Sequence, residues 1–93
     1  MDFQFDKTKN KKLIQERAIS FEQVIEAIYN GNVLLDVAHP NQEKYPHQRL
    51  MIVEIDNYPY GVPYVKSEEY FFLKTIYPDR RYKKLLKERK ERK

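Results

Sequence analysis

The sequence predicts an α+β domain in the order β-α-α-β-β-β-β-α, with a largely antiparallel sheet backed by two N-terminal helices. Two observations support this prediction. Apolar residues recur at helical spacing before Gly31 and at strand spacing after it. Helices and hairpin-linked strands also fall in separate runs along the chain, which is typical of α+β folds. The 93 residues contain no internal repeat and no linker, so we expect one domain over 1–93.

The first thirty residues predict a short strand and two helices. Residues 3–5 alternate aromatic and polar side chains, as in a strand with one buried face. Asp6 can cap a helix over Lys7–Arg17, because its carboxylate can accept hydrogen bonds from free backbone N–H groups. The second helix begins with a capping box at Ser20. Its apolar stripe is Phe21, Val24, Ile25 and Ile28.

Four strands and a final helix follow. Pro59 and Pro63 lack the N–H that a strand ladder needs, so we expect their strand at an edge or a bulge. Pro78 should end the last strand. Asp79 can cap the final helix, whose end over 83–93 is a basic tail expected to fray. The predicted strands span 33–37, Arg49–Ile55, 60–65 and 70–77, and the docking stripe of the final helix is Tyr82, Leu85 and Leu86.

Positive charge is concentrated at the C-terminal end. Residues 1–78 hold nine Lys or Arg and eleven Asp or Glu, whereas 79–93 hold nine and three, which gives a net charge of +4. The aromatic run YFFLKTIY at 70–77 comes directly before the basic segment. Cations attract phosphates and aromatic faces stack on bases, so this combination favours RNA as a partner.

Composition argues against several classes of function. The chain has no Cys and two His, so we expect no disulfide, no metal and no cofactor. It contains no GxGxxG, P-loop or GxSxG motif, which argues against nucleotide-dependent and serine-hydrolase chemistry. Its apolar runs are much shorter than a membrane span. We therefore expect a cytoplasmic protein that binds no membrane.

Three basic residues are candidates for metal-independent RNA cleavage, which requires proton transfer and stabilisation of negative charge on phosphorus. By strand alternation, Lys74 lies on the side of Phe72 and Ile76, where it either faces a ligand or extends past its neighbours to solvent. Arg80 lies where the last helix begins, and Arg49 opens a strand. Arginines in such positions are more often plain surface charges.

Four segments carry a resemblance to a known family: FQFD at 3–6, KN at 9–10, ISFE at 19–22 and LKTIYPDRR at 73–81. Over about 3–82 the chain resembles the BrnT-type toxins of type II toxin–antitoxin modules, which are RelE-like ribonucleases. That family opens with an aromatic-x-aromatic-Asp element and closes with basic-x-Ile-Ile-Ser-Ala-Arg-Lys. Here Pro78-Asp79 replaces Ser-Ala, and Asp79 would oppose phosphate binding if it faced Arg80.

The resemblance implies a RelE-like fold and metal-independent mRNA cleavage, on or off the ribosome, that inhibits translation. It also implies neutralisation by a cognate ribbon-helix-helix antitoxin in a toxin–antitoxin hetero-oligomer. By position, it assigns Lys74 and Arg80 to transition-state stabilisation, with Arg49 assisting. The expected RNA contacts are Lys9, Arg81, Tyr82, Lys83 and Lys84.

Two other classes of function stay open from the sequence. One is a non-catalytic RNA- or ribosome-binding module whose basic tail supplies the affinity. The other is an inactivated toxin descendant that acts through protein partners. Cleavage that is lost in Lys74→Ala while RNA binding persists would argue against the first class. An adjacent antitoxin-like gene would distinguish a toxin from a generic adaptor.

Overall fold

A six-stranded sheet forms the centre of the computed structural model, which describes residues 2–91. The strand order is β1-β5-β4-β3-β2, and β6 pairs with β4 beyond the end of β5. Every pairing is antiparallel except the parallel β1–β5 pair. The strands are β1 Asp2–Phe5, β2 Val33–Ala38, β3 Arg49–Ile55, β4 Tyr58–Lys66, β5 Tyr70–Leu73 and β6 Tyr77–Pro78. The predicted α+β class and the largely antiparallel sheet are confirmed.

Three α-helices accompany the sheet: α1 Lys7–Arg17, α2 Phe21–Tyr29 and α3 Lys83–Glu91. A 3-10 turn over Arg80–Tyr82 leads into α3. The predicted caps are present, because Asp6 accepts a hydrogen bond from the backbone N–H of Lys9, and Ser20 and Gln23 form a capping box. Gly31, at φ +78°, follows the end of α2 in the left-handed conformation that glycine tolerates.

Helices α1 and α2 cover one face of the sheet, which we call the helix face. Fully buried Phe21 and Val24 of α2 share a core with Met51, Val53 and Val62 of the central strands. Helix α3 packs on the opposite face. Its Arg89 contacts Glu54, a residue that alternates with Val53 along β3 and so points away from α2.

The strand predicted over 70–77 is interrupted. Leu73 pairs with Tyr64, whereas Tyr77 pairs with Gly61, so four steps along this strand match three steps along β4. One extra residue in one strand of an antiparallel pair is a β-bulge, here within 74–76. The expectation that Lys74 and Ile76 share a side is therefore wrong. Ile76 is buried in the helix-face core, and Lys74 is exposed.

Of the edge or bulge expected for the strand with two prolines, the edge is wrong, because β4 lies between β3 and the β5–β6 strand, and the bulge lies in that partner strand. The carbonyl of Pro63 accepts from the N–H of Lys74 at 2.8 Å, and the carbonyl of Pro59 accepts from the N–H of Asp79 at 3.0 Å. In an antiparallel pair every second pair of facing residues exchanges two backbone hydrogen bonds, and a proline in such a position can accept one but cannot donate the other. The bulge begins at Lys74 and β6 ends just before Asp79, so the partner strand deviates where each donor is missing.

The last strand ends at Pro78 as expected, but it is the short β6, separate from β5. Of the basic tail expected to fray over 83–93, residues 83–91 form α3, and 92–93 lie outside the described residues. Leu86 and Arg89 hold this helix. Leu86 is buried, and the Arg89 Nη2 donates to Asn32 Oδ1 at 3.0 Å. Of the predicted docking stripe, Leu86 is buried and Leu85 half-buried on α3, whereas Tyr82, also half-buried, lies in the 3-10 turn before the helix.

A polar side chain in the core joins the two N-terminal helices and generates the first prediction. The Oδ1 of buried Asn10 accepts from the backbone N–H of Phe21 at 2.7 Å, and its Nδ2 donates to Glu22. Asn10→Ala leaves that buried N–H without a partner, so we expect the free energy of unfolding in urea to fall by about 1–3 kcal/mol. Lys11→Ala, at an exposed neighbouring position, should change it by less than about 0.5 kcal/mol. Equal losses in the two variants would contradict the role of Asn10.

Candidate nucleic-acid interface

Lys74 emerges from the bulge beside an aromatic ring. Its Nζ lies 5.4 Å from the centre of the Phe72 ring, so the two side chains share the face of the sheet opposite the helix face. Among the described residues 2–91, no carboxylate forms an ion pair with Lys74. An unpaired cation beside a stackable ring is suited to a phosphate and its base.

Arg17, in the last turn of α1, holds the bulge from the helix face of the sheet. Its Nη1 donates to the carbonyl oxygen of Ile76 at 2.5 Å. Strand β1 ends at Phe5, opposite Leu73, so the described strands offer no partner on that side of Ile76. The guanidinium of Arg17 supplies the donor there, and the last turn of α1 thereby fixes the path of residues 74–76.

Tyr77 is a candidate that the sequence reasoning missed. Its half-buried ring lies so close to Gly61 that a Cβ at that position would meet ring carbons at 2.6 and 2.7 Å. Burial, and then the negative charge of Asp79, raise the pKa of Tyr77 above 10.0, so its hydroxyl keeps its proton at neutral pH. The available signal was a glycine in a strand, which often marks a close approach by another group.

Asp79 and Arg81 form a closed ion pair. Buried Asp79 accepts from Nε of Arg81 at 2.8 Å and from its Nη2 at 2.7 Å. These hydrogen bonds hold the pKa of Asp79 below 3.8 and raise that of Arg81. The carboxylate is therefore bound to Arg81, which leaves Arg80 exposed and outside every ion pair of the described residues.

Arg49 lies on the helix face and is not brought together with Lys74. It pairs with Tyr64, which pairs with Leu73, and these three residues share one face, whereas Lys74 lies on the other. Its Nε donates to Asp36 Oδ1 and to the Tyr64 hydroxyl, both at 3.2 Å. This pairing neutralises Arg49 within a network that links β2, β3 and β4.

The predicted RNA contacts fall into two groups. Lys9 belongs to α1, on the helix side of the sheet, away from Lys74. The others follow one another over the 3-10 turn and the first residues of α3. Arg81 lies 5.6 Å from the Tyr82 ring centre, Lys83 lies 5.5 Å from that of Tyr58, and Lys84 is exposed.

The comparisons place the chain in one family. The sequence model of the family described as "Domain of unknown function (DUF4258)" matches residues 11–78, and the chain belongs to this family. The match covers the sheet from β2 to β6, including the bulge, and stops before Arg80. No curated protein and no solved structure matches the chain. Within the described residues, no helix is long and apolar enough to cross a membrane.

The second prediction concerns Tyr64, whose hydroxyl donates to Asp36 at 2.7 Å. Burial, and then this hydrogen bond, raise the pKa of Tyr64 from 10.0 to about 12. The folded chain thus holds the proton more tightly than the unfolded chain. The protonated hydroxyl of Tyr64 therefore contributes to the free energy of unfolding. This contribution is complete below about pH 10 and disappears as the pH rises through about 12. We expect the advantage of the wild type over Tyr64→Phe in urea unfolding to shrink by about 2–3 kcal/mol across this window.

Tyr29→Phe serves as the control, because Tyr29 is 72% exposed. Its difference from the wild type should stay constant over the same pH range. A Tyr64→Phe curve that stays parallel to the wild-type curve from pH 9 to pH 12 would show that this hydroxyl does not titrate as the geometry requires.

Proposed function

We propose that this chain is the toxin component of a type II toxin–antitoxin module: a metal-independent endoribonuclease that cleaves mRNA, inhibits translation and is neutralised by a cognate antitoxin. The supporting structural observation is the bulge over 74–76. It brings the half-buried Tyr77 to the face that carries Lys74 and Phe72, and no carboxylate of residues 2–91 forms an ion pair with Lys74. The BrnT resemblance of residues 73–81 falls on this same segment.

The proposed reaction is an internal transfer at phosphorus. The 2′-hydroxyl of the RNA gives its proton to a solvent water molecule, and its oxygen attacks the adjacent phosphorus. The bond to the 5′-oxygen breaks, and that oxygen takes up a proton from solvent. The products are a 2′,3′-cyclic phosphate and a 5′-hydroxyl. Negative charge grows on the phosphate oxygens in the transition state, so fixed cations and hydrogen-bond donors lower the barrier.

Each residue has a role that follows from its surroundings. Lys74 and Arg80 have no competing carboxylate in the described chain, so their charges can stabilise the phosphate. Tyr77 keeps its proton and can donate a hydrogen bond to a phosphate oxygen. Phe72 offers a ring for base stacking. Arg49 is left out of this set because Asp36 neutralises it on the other face.

The third prediction tests the site by expression in bacteria. The wild type should arrest growth and bulk translation, whereas Lys74→Ala/Arg80→Ala should not, because this variant lacks the two cations assigned to the cleavage site. Lys7→Ala/Lys11→Ala removes the same charge from exposed positions of α1 and should arrest growth like the wild type. Circular dichroism and thermal unfolding of each purified protein verify that it is folded.

The outcomes distinguish the competing functions. Arrest by a folded Lys74→Ala/Arg80→Ala variant would overturn the site assignment. A folded wild type that binds RNA without cleaving it and without arresting growth would overturn the ribonuclease proposal and favour a non-catalytic binding module. Mapping the RNA ends in arrested cells should show new 5′-hydroxyl termini in mRNA.

A further inference from the structure

The basic residues of α3 differ between the two flanks of the helix. On the flank next to β2, Arg89 contacts Glu54 and Asn32 and anchors the helix to the sheet. The other flank carries Lys83, Lys87 and Lys90, and none of these is in an ion pair within residues 2–91. One flank therefore fixes the helix, and the other has positive charge available for a ligand.

The free flank lines a groove of about 490 Å³ between α3 and the β3–β4 turn. Leu86 and Tyr58 provide apolar surface, the three lysines provide positive charge, and Glu91 and Asn57 complete the lining. Lys83 lies over the Tyr58 ring at 5.5 Å, and Lys90 donates to Asn57 Oδ1. The β3–β4 turn that forms the second wall is fixed, because Asp56 and Asn57 both adopt positive φ in a two-residue hairpin.

The spacing of the lysines favours an extended polyanion. Residues four and three apart lie on one side of an α-helix, and at a rise of about 1.5 Å per residue the row from Lys83 to Lys90 extends about 10 Å along the axis. Such a row can follow two successive phosphates of a single strand, and Tyr58 beside it can stack on a base. Lys83 comes directly after the 3-10 turn over Arg80–Tyr82, so the groove continues from the proposed cleavage surface.

We propose that this groove, lined by Lys83, Lys87, Lys90 and Tyr58, binds a single-stranded segment of RNA outside the cleavage site. The proposal rests on RNA being the substrate and extends it by naming a second contact surface. The lysines hold phosphates without regard to sequence, and Tyr58 stacks on one base. Affinity in the groove should therefore depend strongly on salt and weakly on sequence.

The fourth prediction is measured by fluorescence anisotropy with a 2′-O-methyl oligoribonucleotide, which binds but lacks the hydroxyl needed for cleavage. Each phosphate contact to a single strand contributes about 0.7 to the slope of log affinity against log salt. Lys83→Gln/Lys87→Gln/Lys90→Gln removes the row that follows two phosphates and should therefore lower the slope by about 1.4. Tyr58→Leu should weaken binding by about fivefold or more and leave the slope unchanged.

The matched control is Lys7→Gln/Lys11→Gln/Lys12→Gln, which removes three charges from α1 on the other side of the sheet. This variant should keep the wild-type slope. Equal salt slopes for both triple variants would overturn the groove proposal. The loss of any three positive charges, wherever they lie, would then have the same effect on RNA binding. A groove variant that keeps its RNA slope but loses binding to polyglutamate would also overturn it and would indicate an acidic protein partner.

The readouts separate this proposal from the ribonuclease proposal. A wild type that leaves growth and RNA intact, but whose salt slope falls in the groove variant, would refute cleavage and leave the groove established. If the wild type cleaves RNA and the groove variant has the same salt slope as the wild type, the cleavage proposal would stand and the groove proposal would be refuted.

Discussion

The structure around the candidate site depends on a hydrogen bond that cannot form. Pro63 lies inside the sheet and accepts from the N–H of Lys74, but it has no N–H to return. The partner strand bulges at that point, resumes pairing at Tyr77 and turns away after Pro78. A regular strand would place Lys74 and Ile76 on one side. The bulge instead turns Ile76 into the core and brings Tyr77 to the face on which Lys74 is exposed.

The elements that local chemistry determines were predictable from sequence. The capping box at Ser20, the cap at Asp6 and the strand Arg49–Ile55 appear where the pattern placed them. Pro59 and Pro63 also indicated that a strand would be irregular, but we expected the irregularity in the strand that contains them, and the bulge lies in its partner. Which strand deviates depends on the pairing partner, and pairing between distant residues is not visible in a local pattern.

The site was only partly predictable for the same reason. Lys74 and Arg80 are exposed and have no ion-pair partner within residues 2–91, whereas Arg49 and Arg81 are bound to Asp36 and Asp79. A count of basic residues treats all four alike, and only the fold shows which charges are already neutralised. Exposed cations without a carboxylate partner remain fully available to phosphate, and this distinction separates the candidate ligand contacts from the structural ones.

The pairing of the first strand with the fifth has a consequence for synthesis of the chain. Asp2 pairs with Tyr70, and Arg17 meets the carbonyl of Ile76, so both ends of the domain must be present before either contact can form. On a translating ribosome, α1 and α2 can form early, but β1 stays without its neighbour until β5 has emerged. The surface that carries Lys74 and Tyr77 is thus among the last parts to assemble, and a chain released before residue 76 cannot present it.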